Sequence, residues 1–308
     1  MALKVAVVGS YNGGVTIQAD RLPVMGETLL GHDYVEGPGG KGSNQAIAAA
    51  RLGAEVHFIG CIGQDHNGDA ALALWEAEGI HAYVRRDQNT HTGVGIIFLF
   101  PEGDNAIVVA PGANSALAPE DIDLMEEAIA DCQVLVLQLE IPVKTALHAA
   151  KLAKHHGVKV LLNPAPVQPL PPEAFQLIDV LTPNETEAKV LVGQAPDARI
   201  SDEDLAHKLL KLGVKTVVMT RGKSGALIAR SKTINRVKAP IVKTVDPTGC
   251  GDAFNGALAV ALAEGKPLVA AAQWACYGGA HCATALEVIP GLASRRQLEA
   301  LIEEQPYD

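Results

Sequence analysis

No run of like charges and no low-complexity tract interrupts these 308 residues, and only 19% of them are charged. With 48% hydrophobic residues the chain can bury a sizeable core, which excludes a disordered class. Positive charge is in deficit: 25 Lys and Arg against 35 Asp and Glu leave a net charge of −10. Such a surface repels a phosphate backbone, so nucleic acid is not an expected partner. A phosphorylated ligand can still bind where local geometry overrides the overall field. Cysteine is sparse and scattered: Cys61, Cys132, Cys250, Cys276 and Cys282 form an odd set with no CxxC pair. That pattern excludes a disulfide framework and leads us to expect a reduced, cytoplasmic protein. The N-terminal apolar run, Val5–Val8 before Gly9, is too short for a signal peptide. Leu268–Leu286 is the one rival for a membrane helix. Gln273, Tyr277, Gly278, Gly279, His281 and Thr284 interrupt it, so we expect a buried helix and no membrane association. There is no HExxH pair and no G-x-S-x-G elbow. Cys276, His281 and Cys282 share one helical stretch without zinc-site spacing, and core positions are expected for them, as for Trp75 and Trp274.

What is present is an alternation. Short apolar β runs (Lys4–Gly9, Glu55–Cys61, Gln133–Leu139, Lys159–Asn163, Val180–Thr182, Lys215–Thr220) alternate with helical stretches such as Gly42–Leu52, Asp69–Gly79, Val143–His155 and Asp202–Leu212. This predicts an α/β fold with a mostly parallel sheet covered on both faces. Two regions, 12–37 and 93–110, break the pattern. The second reads as a hairpin, Gly95–Phe100 and Ala106–Ala110 around a turn at Pro101–Asp104. These strands form either a small separate sheet or antiparallel edges of the main one.

The segment richest in chemistry is Asp246-Pro-Thr-Gly-Cys-Gly-Asp252, which leads into an apolar helical run, Ala253–Ala263. A glycine turn entering a helix points backbone N–H groups at one spot, and the helix dipole adds positive partial charge there. That spot suits a phosphoryl group in transfer, and Asp252 in the first turn would accept a proton from an attacking hydroxyl. A plain capped helix accounts for the same residues equally well. A second glycine-rich element, Gly37-Pro-Gly-Gly40-Lys41-Gly42-Ser-Asn44-Gln45, is not a P-loop, because Gly42 follows Lys41. Asn44 can exchange hydrogen bonds with hydroxyls and Lys41 can offer charge; a helix start with a solvated lysine is the competing reading. Asn184 and Glu187, three apart, fit either a capping box or a Mg²⁺ ion with its waters. Thr220-Arg-Gly222-Lys-Ser-Gly225 either lines a nucleotide or makes a plain hairpin.

Taken in order along nearly the whole chain, these segments resemble the ribokinase (pfkB) family of carbohydrate kinases. Asp246–Phe254 resembles the family's D-x-T-G-x-G-D-x-F signature and Gly39–Asn44 its Gly-Gly-Lys-Gly-x-Asn helix start. Gln138-Leu-Glu140, Leu162-Asn-Pro-Ala-Pro166 and Thr182-Pro-Asn-Glu-Thr-Glu187 are similar as well. The resemblance implies a three-layer ribokinase-like domain over 1–308, with a small β-sheet lid from about 12–37 and 93–110 that also carries a homodimer contact. It implies ATP as donor, Mg²⁺, and a small sugar as acceptor. Asp252 would be the catalytic base, and the N–H groups of Gly249, Cys250 and Gly251 the anion hole. Asn12, Lys41, Asn44 and Glu140 would bind sugar, with Gly40 allowing close approach. Asn184 and Glu187 would serve the Mg²⁺–phosphate side, and Thr220, Gly222, Gly225 and Gly251 the nucleotide.

Three departures stand out. Gly14 occupies the place of an Asp that grips sugar hydroxyls in the family, so a deoxy or differently configured sugar stays open beside ribose. Glu287-Val-Ile-Pro290-Gly291 replaces the family's K⁺-binding loop, leaving Asp246 and the Thr248 carbonyl as candidate K⁺ ligands. Cys250 replaces an Ala: either a thiol whose pKa a helix N-terminus would lower, or simply a small residue. The alternatives are a nucleoside or other small-alcohol kinase, against which an aromatic content of 4% argues, and an idle ligand-binding protein, against which the intact Asp252 turn argues.

Overall fold

Residues along the strand Lys4–Val8 alternate between two cores: Val5 and Val7 enter one, Ala6 and Val8 the other. A strand buried on both sides needs a layer on each face, which is why the run is apolar throughout. The computed structural model describes residues 2–101, 105–231 and 233–307. Among them nine strands form the main sheet, in the order Thr233–Val237, Ala226–Arg230, Val217–Thr220, Val180–Leu181, Lys159–Leu162, Val134–Leu137, Lys4–Val8, Glu55–Gly63, His81–Asp87. The pairs from Val217–Thr220 to His81–Asp87 are parallel, and the two strands beyond Val217–Thr220 are antiparallel. Helices Lys41–Arg51, Cys250–Ala263 and Leu268–Cys282 pack on one face, and Val143–His155 and Asp202–Lys211 on the other. This is the three-layer arrangement expected from the sequence.

Boundaries differ by a few residues, for local reasons. The helix expected from Asp69 begins at His66, because Asp65 caps it by accepting the Gly68 N–H at 2.9 Å. The stretch expected to continue to Leu286 leaves the helix after Cys282. Among the described residues no helix is long and apolar enough to cross a membrane. Trp75, Trp274, Cys276 and Cys282 are buried in the core, and none of the five cysteines is paired in a disulfide.

The two irregular regions form a separate sheet of four strands, in the order Asp33–Gly39, Asn12–Gln18, Gly93–Leu99, Asn105–Ala110. The outer pairs are antiparallel and the central pair parallel. Of the turn expected at Pro101–Asp104, Pro101 is a turn residue and 102–104 lie outside the described residues. Gly14 lies opposite both Gly37 and Gly95 in this sheet, so three glycines meet on one face. That face, with Thr16, Val35, Ile97 and Val109, looks toward the ends of the main-sheet strands and closes one wall of a cavity.

Candidate active site

Helices Lys41–Arg51 and Cys250–Ala263 meet at Gly256, where a Cβ would stand 2.5 Å from the Ala48 Cβ and 2.8 Å from the Gln45 carbonyl oxygen. Only glycine permits so close a crossing. One turn toward the N-terminus of each helix, on the same face, lie Asn44 and Asp252. The Asn44 Nδ2 donates to Asp252 Oδ2 at 2.9 Å, and the Gln45 Nε2 donates to Oδ1 at 2.9 Å. Asp252 is 6% exposed. Burial raises its pKa above the ordinary carboxylate value, against the pull of Lys41, Asn44 and Gln45 and with a contribution from Glu140. A buried carboxyl with a raised pKa and a neighbouring cation is what a general base at the end of a cleft requires. The Asn44 Oδ1 is buried and has no partner among the described residues, which leaves an acceptor for a ligand hydroxyl.

Around this pair the start of the helix Lys41–Arg51 gathers a polar cluster. The Glu140 Oε2 accepts from the Ser10 hydroxyl at 2.5 Å and from the Lys41 backbone N–H at 2.9 Å. Asn12 is oriented by Asn114, whose Nδ2 donates to Asn12 Oδ1 at 2.9 Å. For the Lys41 ammonium, burial acts to lower the pKa, but Asp252, Glu140 and Glu187 outweigh it and the net direction is up. Lys41 therefore stays charged. Gly40, at φ 93°, could not carry a Cβ, which would lie 2.7 Å from the Tyr11 Cα.

The turn at Gly249–Asp252 separates two cavities. The first, about 210 Å³, is lined by Asn12, Gly14, Gly40, Lys41, Asn44, Glu140, Asp246, Thr248, Gly249, Asp252 and Glu287. The second, about 520 Å³, is lined by Thr220, Gly222, Gly225, Cys250, Gly251 and a largely apolar set including Ile241, Val242, Phe254 and Ala280. Gly249 adopts the left-handed conformation, φ 77°, which turns the chain into the helix. The Gly249 and Gly251 N–H groups have no acceptor among the described residues. The Cys250 N–H is shared with the Pro247 carbonyl at 3.3 Å, so two of the three expected donors are unengaged. No atom would stand within 4 Å of a Cβ at Gly251, so the space beside it is open. The Cys250 thiol is pulled below its ordinary pKa, chiefly by its neighbour Cys282, with burial opposing.

Asn184 and Glu187 form the reciprocal capping box: the Glu187 N–H donates to Asn184 Oδ1 at 2.8 Å and the Asn184 N–H to Glu187 Oε2 at 2.9 Å. Burial raises the Glu187 pKa, and Lys41 opposes. Asn184 also bridges to Thr220, tying the third and fourth motifs together. Thr220-Arg-Gly222-Lys-Ser-Gly225 is the link of an antiparallel hairpin and, at the same time, part of the wall of the larger cavity. Asp246 Oδ1 accepts the Thr248 N–H at 2.8 Å and Oδ2 the Glu287 N–H at 3.1 Å, while the Cys282 thiol reaches the Thr248 carbonyl at 3.6 Å.

Comparison with known proteins decides the class. The pattern of the pfkB family carbohydrate kinases matches residues 2–294. The chain belongs to that family. It is accordingly a phosphotransferase acting on a sugar hydroxyl, a kinase of the ribokinase type. It is 40% identical over 271 residues to the ribokinase of Haemophilus influenzae, covering 86% of this chain and 87% of that one. It is 38% identical over 260 residues to the deoxyribokinase of Salmonella typhi, covering 83% and 85%. Among solved structures it is similar to the ribokinase of Arabidopsis thaliana complexed with ribose and ATP: TM-score 0.89, 33% identity, covering 98% of this chain and 99% of that one.

Sequence reasoning gave no role of their own to the residues that hold the site rather than form it, although several lie in the motifs it named. Gln45 pairs with Asp252, donates also to Asn163, and is held by Gln138 at 2.8 Å. Asn163 continues to the Thr182 carbonyl, Thr182 to Asn255, and Asn255 to the Gly251 carbonyl at 2.8 Å. Gln138, Asn163 and Thr182 each lie in or just after a strand end, where a polar residue follows an apolar run. That break in the pattern is the signal that could have revealed them.

Proposed function

We propose that the protein transfers the γ-phosphoryl group of ATP to the primary hydroxyl of a pentose-type sugar, with Asp252 as the base. The observation that carries this reading is the turn Gly249–Asp252, which contributes to both cavities. A sugar in the smaller cavity and a nucleotide in the larger would meet across it. The smaller cavity has about the room of one sugar ring, which favours a sugar over a nucleoside acceptor. Asn44 and Gln45 hold the Asp252 carboxylate so that it takes the hydroxyl proton as the oxygen attacks. The Gly249 and Gly251 N–H groups, at the positive end of a helix, balance the charge on the transferred group. Lys41 adds a positive charge, and Asn12, Asn44 and Glu140 orient the sugar. Thr220, Gly222 and Gly225 line the nucleotide. Glu187 has one oxygen outside the capping box and, with Asn184, would hold Mg²⁺ through water; the ion would offset phosphate charge when bound. Asp246 and the Thr248 carbonyl offer oxygens to K⁺, and replacing K⁺ by Na⁺ is expected to lower the rate.

The four-stranded sheet over the sugar cavity acts as a lid that excludes water. Its exposed Tyr34, Ile96 and Val108, on the face turned away from the cavity, support a homodimer contact, which light scattering on the eluted protein tests. The function itself is tested by ADP release with Mg-ATP against pentoses, deoxypentoses, hexoses and nucleosides. Strong turnover with one pentose class is expected. Turnover confined to nucleosides would overturn the reading, and so would none at all.

A further inference from the structure

We infer that Glu287 is the carboxylate that selects the sugar, reaching into the pocket from the C-terminal segment. This deepens the sugar-kinase reading above and rests on it. Glu287 adopts φ 65° and ψ 158°, a region that side chains avoid and glycine fills. Among the described residues only Ser231 also has a positive φ without being glycine. Two contacts hold the segment there. The Glu287 N–H donates to Asp246 Oδ2 at 3.1 Å, and the next residue, Val288, packs so tightly on the catalytic turn that a Cβ at Gly249 would stand 2.3 Å from it. The strain is therefore imposed by neighbours, and its effect is to aim a carboxylate.

The aim is into the smaller cavity. Glu287 lines it together with Lys41, Asn44, Glu140 and Asp252, and its Oε2 lies 3.5 Å from where a Cβ on Gly37 would stand. The wall it faces is bare: Gly37 pairs with Gly14, and Gly14 with Gly95. Three glycines bring no polar side chain to a sugar lying against them. Among the described residues the Glu287 carboxylate has no ion-pair partner and no hydrogen-bond donor, although it is half-buried. An ionised carboxylate is an acceptor only, so what completes it is a group rich in donors. A sugar hydroxyl, donating from the ring edge that lies on the glycine wall, is that group. Glu140 turns its Oε2 to Ser10 and the Lys41 backbone, and the free Asn44 Oδ1 lies beside Asp252, so Glu287 is the acceptor placed against the glycine wall.

The test compares the parent enzyme with Glu287→Gly and Glu287→Gln, using the sugar that gives the highest ADP release and its deoxy analogues. A hydrogen bond to a charged group corresponds to roughly a ten- to hundredfold change in binding. The sugar KM is expected to rise by about that factor in Glu287→Gly and less in Glu287→Gln, with the ATP KM within about twofold of the parent's. Discrimination between the sugar and one deoxy analogue should collapse in Glu287→Gly, which identifies the hydroxyl. Glycine suits the backbone at 287, so this variant should melt no lower than the parent, and lost affinity is not lost folding. An unchanged sugar KM in both variants, with the parent active, overturns this inference alone. A parent enzyme inert to every sugar overturns the proposed function and this inference with it.

Discussion

The two cavities on either side of the Gly249–Asp252 turn are built from opposite materials. The smaller gathers Lys41, Glu140, Asp246, Asp252 and Glu287 around itself, whereas the larger is walled by Ile241, Val242, Phe254, Ala280 and Ala283 with Lys223 at its edge. On the proposed reading, the chain concentrates charge, held by buried amides, where a ligand would be recognised by its hydroxyls and a proton would move. Where a ligand presents a flat, weakly polar body, shape and dispersion suffice. Both cavities lie against one helix start, so the charged chemistry and the apolar binding are neighbours in sequence as well as in space.

The sharpest way to break this division is at Asp252. Asp252→Ala should cut kcat by about a thousandfold, as loss of a general base does, while leaving ATP binding nearly unchanged in a calorimetric titration. The effect should be confined to one cavity; loss of ATP affinity of comparable size would dissolve the contrast. The same carboxyl sets an acid limb. Its pKa is raised by burial, so kcat should fall about tenfold per pH unit once the pH drops below that raised value, a limb set higher than an ordinary carboxylate would give. Stability runs the other way. The cost of burying the ionised form is present above the folded pKa and absent below the unfolded one, so Asp252→Asn should melt at or above the parent temperature at pH 7.

Ala280→Phe sharpens the comparison from the other side. It fills the apolar cavity and should raise the ATP KM about tenfold with the sugar KM unmoved, as initial-rate kinetics would report. Gly256→Ala tests the helix crossing that both depend on: the added methyl meets Ala48 and should cost about 1–3 kcal/mol in urea unfolding, with some loss of kcat as Asn44 shifts. The smallest change expected is Cys250→Ala. If the residue contributes only its backbone to the turn, kcat stays within about twofold of the parent's.

The fold was the more legible part of the sequence. Strands buried on both faces, such as Val134–Leu137, declare themselves by composition alone, and Val143–His155 begins and ends where its periodicity says. Half of the small sheet was legible as the hairpin of 93–110, now Gly93–Leu99 paired with Asn105–Ala110, whereas the glycine-rich strands Asn12–Gln18 and Asp33–Gly39 showed only as a disturbance, with little hydrophobic pattern to signal their register. In the site, glycine turns and the acid that follows them stand out along the chain. Gln45 did not, since nothing in a helix of small residues says which side chain will cross to another helix 207 positions away. Glu287 was read as the loss of a loop, and only three-dimensional proximity to Gly37 gives it a place in the pocket.

A turn that belongs to two cavities at once would, on the proposed reading, offer one seat to a phosphoryl group. On the proposed reading the terminal phosphate of ATP and the phosphate of the finished sugar would claim the same N–H groups of Gly249 and Gly251, so they cannot be seated together. ADP with unreacted sugar can be. Phosphorylated sugar should then compete with ATP, and the enzyme should stall on substrate sugar with spent nucleotide but never on two phosphates. On that reading a few backbone amides decide which pairs of ligands the enzyme can hold at once.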